Sequence, residues 1–132
     1  MTFSVKRYDK SDFYETFSKW LLNHNFPLIN DLVLPENVFV CSVDEVPCYC
    51  IWIYFTDSKL AWIAFPASNP NVSYKKRVNG LSYLINYVCD YAKKKKILSI
   101  ITTSGTESVI ESLIKNQFEI GDRNINHYTR KL

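Results

Sequence analysis

Hydrophobic and polar positions follow two different periods along the chain, and each period predicts a type of element. Near the start, apolar residues recur at helical spacing, at Phe13, Phe17, Trp20 and Leu21. Ser4–Tyr8 before them alternates as a strand does. Asp12 and Glu15 would suit the helix start, and we expect this helix to end near residues 23–25. A short helical turn is expected within 28–34.

From Val38 onward the apolar residues form short runs rich in β-branched and aromatic side chains, which is typical of buried strands. Three strands are predicted, Val38–Val43, Cys48–Phe55 and Leu60–Phe65. Turns of four residues separate them, and the second of these, 56–59, is polar throughout. Since these connections are too short for a crossover helix, the three strands should form an antiparallel meander.

The second half of the chain returns to helical spacing after Gly80. One apolar face is predicted from Leu81, Leu84, Ile85, Val88 and Ala92. A buried strand, Ile97–Ile101, should follow, and the helix between it and the meander would make it parallel to Leu60–Phe65. A helix over 108–116 and two closing strands, Phe118–Ile120 and Ile125–Arg130, complete the pattern. The pattern predicts a mixed α/β domain, with helices on both faces of a mostly antiparallel sheet.

Composition changes this picture little. A chain of 132 residues has the usual length of one domain, so residues 1–132 are expected to form a single unit. Its start does not resemble a signal peptide, and its longest apolar run is too short to cross a bilayer. Its four cysteines are therefore expected to be reduced, buried thiols in a cytoplasmic protein, and no metal site is expected.

The segment of six residues before the long helix is the strongest candidate for a binding site: Arg77, Val78, Asn79, Gly80, Leu81 and Ser82. A helix N-terminus presents free backbone N–H groups and the positive end of the helix dipole, which suit a phosphate. Arg77 adds a fixed charge, and Gly80 would let the backbone approach a pyrophosphate. The alternative, equally compatible with the local sequence, is that Asn79 and Gly80 only turn the chain.

The order of elements and the pattern Arg77-x-x-Gly80-x-Ser82 resemble the GNAT superfamily of acyl-CoA-dependent N-acyltransferases. That family carries Arg or Gln, two residues, Gly, one residue, and Gly or Ala at this place; here Ser82 replaces the last. The resemblance extends from Ser4 to Leu132. It implies a GNAT-like fold and acetyl-CoA as the co-substrate, with an amine of unknown identity as the acceptor.

The resemblance also implies roles for particular residues. The pantetheine arm of acetyl-CoA would pair with the backbone of Ile63, Ala64 and Phe65, and the pyrophosphate would bind the amides from Arg77 to Ser82. The amine would enter from the opposite side of the splayed strands, with specificity set by residues 23–35 and the late strands. No catalytic acid or base is assigned. Glu45, Asp57 and His127 are candidate bases, each more simply explained as a solvated surface group.

Three departures keep a second function open, the first being that the stretch between Phe65 and Arg77 is several residues longer than is usual in the family. Leu113 stands where the family often has a Tyr that protonates the leaving thiolate, and Thr106 stands where an Asn is frequent. A GNAT-like protein that binds without turnover is therefore the alternative to an enzyme. Nucleic-acid binding through Lys93–Lys96 and three helical tyrosines is a weaker alternative, since lysines also suit a helix C-terminus. A homodimer is left open.

Overall fold

The computed structural model describes residues 1–104 and 106–132. Its strands are β1 (Phe3–Asp9), β2 (Asn37–Val43), β3 (Val46–Phe55), β4 (Leu60–Ser68) and β5 (Ser99–Ile101). Its helices are α1 (Lys10–Asn23), α2 (Tyr74–Lys94) and α3 (Glu107–Lys115), and a short 3-10 turn spans Asp31–Val33. Within these described residues, no helix is both long and apolar enough to pass through a membrane.

The strands form one mixed sheet in the order β1-β2-β3-β4-β5. The first four strands are antiparallel neighbours, which confirms the predicted meander. The crossover through α2 brings β5 parallel to β4, also as predicted. Only three residue pairs join these two strands, the last of them Trp62 with Ile101.

Helices cover both faces of the sheet, and each face has its own core. On one face α1 buries Phe13, Phe17, Trp20 and Leu21 against β2 and β3. The largest side chain that these strands contribute to this core is Trp52. On the other face α2 and α3 pack over a second cluster of apolar residues from β2, β3 and β4. The helical stripes predicted from the sequence are the buried faces of α1 and α2.

The expected start of α2 near Gly80 is wrong. The helix begins at Tyr74, six residues earlier, with Ser73 as its N-cap. The Ser73 hydroxyl accepts from the Lys76 amide at 3.5 Å, and the Ser73 carbonyl accepts from the Arg77 amide at 3.0 Å. A serine at this position satisfies N–H groups that the first turn would otherwise leave without partners, so the helix extends back to it.

The two closing strands, Phe118–Ile120 and Ile125–Arg130, are also wrong, because no strand is formed over residues 116–132. Their alternating pattern is not matched by burial, since Ile120 and Ile125 are 57% and 54% exposed. A strand needs a neighbour with a long enough edge, and β5 offers only three residues.

Other boundaries also differ from those predicted, and β4 continues to Ser68 instead of ending at Phe65. The first helix begins at Lys10 with Asp9 as its N-cap, so Asp12 lies inside the first turn. Strand β5 begins at Ser99 because the Ile97 amide still donates to the Ala92 carbonyl at the end of α2. α3 ends at Lys115. The helical turn expected within 28–34 is confirmed by the 3-10 turn.

Candidate functional site

Strands β4 and β5 separate halfway along β4. After the pair Trp62–Ile101, β4 continues to Ser68, and no described residue of β5 pairs with this part. The Thr102 hydroxyl donates to the Ile63 carbonyl at 2.9 Å and closes the narrow end of the opening. Beyond Ile63, the β4 backbone therefore lies open to an extended ligand that could add hydrogen bonds as a strand would.

A bulge marks β4 at the same point. Trp52 of β3 faces Ala64, whereas Cys50 faces Ala67, so β4 carries one extra residue between these pairs. Phe65 lies in this extra segment with φ of 51°, in the left-handed region that bulky residues rarely adopt. The bulge was not predicted, although a proline inside a strand, Pro66, is a known signal for one.

The backbone of the expected phosphate loop lies inside α2. Because the helix begins at Tyr74, the amides from Arg77 onward point to carbonyls of the preceding turn, as the 3.0 Å bond from Arg77 to Ser73 shows. The amides at the very start of the helix, those of Tyr74 and Lys75, are the ones that helical geometry leaves free for an anion.

The small residues of the motif serve the packing of α2. Gly80 is buried, and a Cβ placed there would lie 2.5 Å from Sγ of Cys48 on β3. The Ser82 hydroxyl accepts from the side-chain amide of Asn116, at the end of α3, over 3.1 Å. The absence of a side chain at Gly80 thus lets the helix approach the sheet closely.

The Arg77 side chain turns toward the end of β4. Its Nη1 donates to the Ser68 hydroxyl at 3.2 Å, and the Ser68 carbonyl accepts from Nε2 of His24 at 3.0 Å. The Nε of Arg77 is buried and has no partner among the described residues. The cluster of Arg77, Ser68 and His24 links α2, β4 and α1. It contains one buried N–H donor, the Nε of Arg77, to which an anion could hydrogen-bond. His24 and Ser68 were not predicted from the sequence.

Tyr49 lies next to this group. Burial raises its pKa to about 12, and the positive charge of Arg77 acts in the opposite direction. The phenol therefore stays protonated at neutral pH and adds no negative charge that would compete with an anion near Arg77.

Cys41, Cys48 and Cys50 are fully buried, as expected, whereas Cys89 is only partly buried. A hydrogen bond with Cys48 raises the pKa of Cys41, and burial raises it further. Burial likewise raises the pKa of Cys50. A nucleophilic cysteine needs access and a stabilised thiolate, so the environment of Cys41 and Cys50 favours inert packing.

The candidate bases lie apart. Glu45 and Asp57 are exposed in the turns at opposite ends of β3, which spans about 30 Å. His127 lines a groove of about 1080 Å³ between β5, α3 and the C-terminal segment. Leu113 of α3 also lines this groove and packs against the α2-side core. The structure therefore does not bring the three candidates together.

The tyrosines of α2 pack on the sheet. Tyr83 stacks on Phe3 with ring centroids 5.4 Å apart, and Tyr91 contacts Phe39 at 4.9 Å. The Tyr91 hydroxyl accepts from Arg7 at 2.6 Å. Packing on the sheet therefore accounts for Tyr83 and Tyr91 without a nucleic-acid ligand.

Comparison with known proteins shows the fold. No family model and no curated protein matches the chain. Among solved structures, the chain is similar to Ard1 from Thermoplasma volcanium, with a TM-score of 0.70 and 15% identity over 92% of this chain and 86% of that one. It is similar to an aminoglycoside acetyltransferase from an uncultured soil metagenomic sample, solved with sisomicin (TM-score 0.69, 14% identity, 98% and 96% covered). A third is glucosamine-6-phosphate N-acetyltransferase from Arabidopsis thaliana (TM-score 0.65, 12% identity, 98% and 100% covered).

Proposed function

Because the chain has the fold of the GNAT acetyltransferases, we propose that it transfers an acetyl group from acetyl-CoA to an amine. The observation that carries this proposal is the opening between β4 and β5, with the bulge at Phe65 on its rim. It leaves the backbone of β4 beyond Ile63 without a pairing strand among the described residues, beside a gap between β4 and β5. Such a gap suits a reaction in which donor and acceptor approach from opposite sides.

The donor would bind along the α2 side of the opening. Its pantetheine arm pairs with the backbone of Ile63, Ala64 and Phe65, with the Ile63 carbonyl shared with Thr102. Its pyrophosphate lies at the start of α2, where Arg77 supplies the buried, unpartnered Nε. Amides farther along the motif, from Val78 through Asn79, Gly80 and Leu81 to Ser82, would contribute only if the first turns of α2 opened.

In the proposed transfer, the amine nitrogen attacks the carbonyl carbon of the thioester. A C–N bond forms, the C–S bond breaks, and the proton lost by the amine balances the one gained by the departing thiolate. Leu113 cannot move a proton, so solvent protonates the thiolate. The protein contributes chiefly by holding the two reactants in line, which is a large part of the rate advantage in such transfers.

Replacing Arg77 with Ala is expected to weaken acetyl-CoA binding about 10- to 100-fold. The expected loss corresponds to one charge-assisted hydrogen bond to a phosphate. Isothermal titration of the full chain with acetyl-CoA measures it. Lys93→Ala, which removes a positive charge from the other end of the same helix, is the matched control and should leave the affinity unchanged.

Two results would contradict the proposal. If the wild-type chain does not bind acetyl-CoA, acetyl-CoA is not its donor. If the Arg77 and Lys93 variants lose the same amount of acetyl-CoA affinity, the loss reflects only a general effect of charge. Gly80→Glu is unsuitable for this test because its side chain would collide with Cys48 and disturb folding.

A second function is favoured by Leu113: a GNAT-like protein that binds acetyl-CoA or another partner without turnover. Release of free CoA in the presence of amines separates the two functions. Turnover that depends on Arg77 would favour the enzyme, whereas binding without turnover would favour the binding module.

For either function the free thiols suit a reducing, cytoplasmic compartment. A homodimer stays a prediction.

A further inference from the structure

Three aromatic side chains, two of them exposed and one partly buried, form a cluster beside the opening between β4 and β5. Tyr54 and Trp62 are paired across β3 and β4 with ring centroids 5.9 Å apart, and the ring of Phe65 lies 6.5 Å from that of Tyr54. Trp62 is 41% exposed and Phe65 36% exposed. We call Tyr54, Trp62 and Phe65 the ring cluster. Apolar rings exposed together in this way mark a binding surface more often than scattered single residues do.

The ring cluster lies on the α1 face of the sheet. Tyr54 follows Trp52 by two residues along β3 and therefore shares its face, and Trp52 is buried under α1. The Tyr54 hydroxyl donates to the Val33 carbonyl in the 3-10 turn at 2.6 Å, which fixes the ring. The cluster thus stands on the face opposite α2, whereas the proposed donor site lies on the α2 face.

The chemistry of the ring cluster limits what can bind there. Its rings contact one another, and none of these contacts involves a charged side chain. The Tyr54 hydroxyl is already donated to the backbone, so the indole N–H of Trp62 is the hydrogen-bond donor left to a ligand. An acceptor with many hydroxyl groups would lose hydrogen bonds with water on binding here, and the ring cluster could not replace most of them.

Charge also discriminates between acceptors. The chain carries a net charge of +3, and none of the contacts described for the three side chains is with a carboxylate that could neutralise several ammonium groups. A single ammonium group is still attracted by the faces of aromatic rings, and it loses one proton to solvent before the neutral amine attacks. A flat apolar skeleton gains further from stacking on them. A compound with one amine on an aromatic skeleton meets these conditions together.

We propose that the acceptor is a primary amine on an aromatic or otherwise flat apolar skeleton, held by the ring cluster with its nitrogen toward the opening. This inference rests on the proposed function, because the cluster faces the acceptor side only if acetyl-CoA occupies the α2 side. It assigns Trp62 and Phe65 as the residues that determine acceptor specificity.

The test uses the full chain with three probe amines, tryptamine, spermidine and glucosamine. Binding of each amine is measured by saturation-transfer NMR in the presence of acetyl-CoA, and acetylation is measured by release of free CoA. We expect tryptamine to bind, and its kcat/KM to exceed that of the other two amines at least 10-fold. Trp62→Ala should raise the KM or Kd for tryptamine about 10-fold and leave the affinity for acetyl-CoA unchanged.

Tyr83→Ala is the matched control, because Tyr83 is 43% exposed, close to the value for Trp62, but lies on α2. It should leave tryptamine binding unchanged. Tyr54→Phe keeps the ring and removes only the hydroxyl that donates to the Val33 carbonyl. It therefore measures how much this hydrogen bond contributes to tryptamine binding.

The outcomes separate failure of the acceptor site from failure of the proposed function. Acetyl-CoA binding with a preference for spermidine or glucosamine, or with no bound amine, overturns this inference and leaves the donor site intact. The same holds if Trp62→Ala and Tyr83→Ala weaken tryptamine binding equally. Failure of acetyl-CoA to bind overturns the proposed function and this inference with it.

Discussion

Replacing Phe17 with Ala is expected to lower the free energy of unfolding by about 3–5 kcal/mol, the usual loss for a large aromatic side chain in a core. Phe17 is fully buried, and its ring packs edge-on against that of Trp52 with centroids 5.2 Å apart. Domains of this size are commonly stable by about 5–15 kcal/mol, so the variant would lose a large share of its stability. Urea unfolding followed by far-UV circular dichroism measures the loss.

Leu22→Ala is the matched control on the same helix. Leu22 is 57% exposed, and its truncation should change the free energy of unfolding by no more than about 0.5 kcal/mol. Similar losses in the two variants would contradict the packing of α1 on Trp52. They would also contradict the assignment of the ring cluster to the acceptor side, because that assignment depends on α1 packing on the same face of the sheet.

A second large effect is expected from Gly80 and Cys48 together. A Cβ at position 80 would lie 2.5 Å from the Cys48 sulfur and 3.7 Å from that of Cys41. Overpacking of this kind costs about 1–3 kcal/mol, against a gain of up to about 1 kcal/mol when Ala replaces Gly inside a helix. Gly80→Ala should therefore be destabilising in the wild-type chain, by up to about 2 kcal/mol.

The collision disappears if the sulfur is removed. In a Cys48→Ala background, Gly80→Ala should be neutral or stabilising, with a coupling of about 1–3 kcal/mol between the two substitutions. Thermal or urea unfolding of the four proteins in this cycle measures it. Strictly additive effects would show that Gly80 does not contact Cys48. A large coupling would show that Gly80 lets α2 pack closely against Cys48.

The meander and the crossover could be predicted because their signals are local. The β-branched runs between Val38 and Phe65 and the short turns between them allow little besides neighbouring antiparallel strands. The start of α2 could not be predicted from Gly80. A glycine can end a helix, precede one, or let a helix approach a strand, and the Cys48 side chain that decides between these lies 32 positions earlier in the sequence.

The candidate site was predicted in part for a similar reason. In a regular strand Ile63 and Phe65 would share a face, because side chains alternate with a period of two residues. The bulge inserts one residue and places the Phe65 ring beside Tyr54, while Ile63 stays in the α2-side core. The ring cluster therefore depends on one register shift. Pro66 was the sole local hint of it.

The backbone at Phe65 has a consequence for how this chain would change under selection. A left-handed conformation costs a residue with a Cβ about 1–2 kcal/mol, whereas glycine adopts it freely. In a library varied at this position and selected for heat resistance alone, we expect Gly or Asn to displace Phe. Selection of the same library for acetylation of tryptamine should keep Phe or another aromatic residue. Selection for stability and selection for acceptor recognition would then favour different residues at position 65.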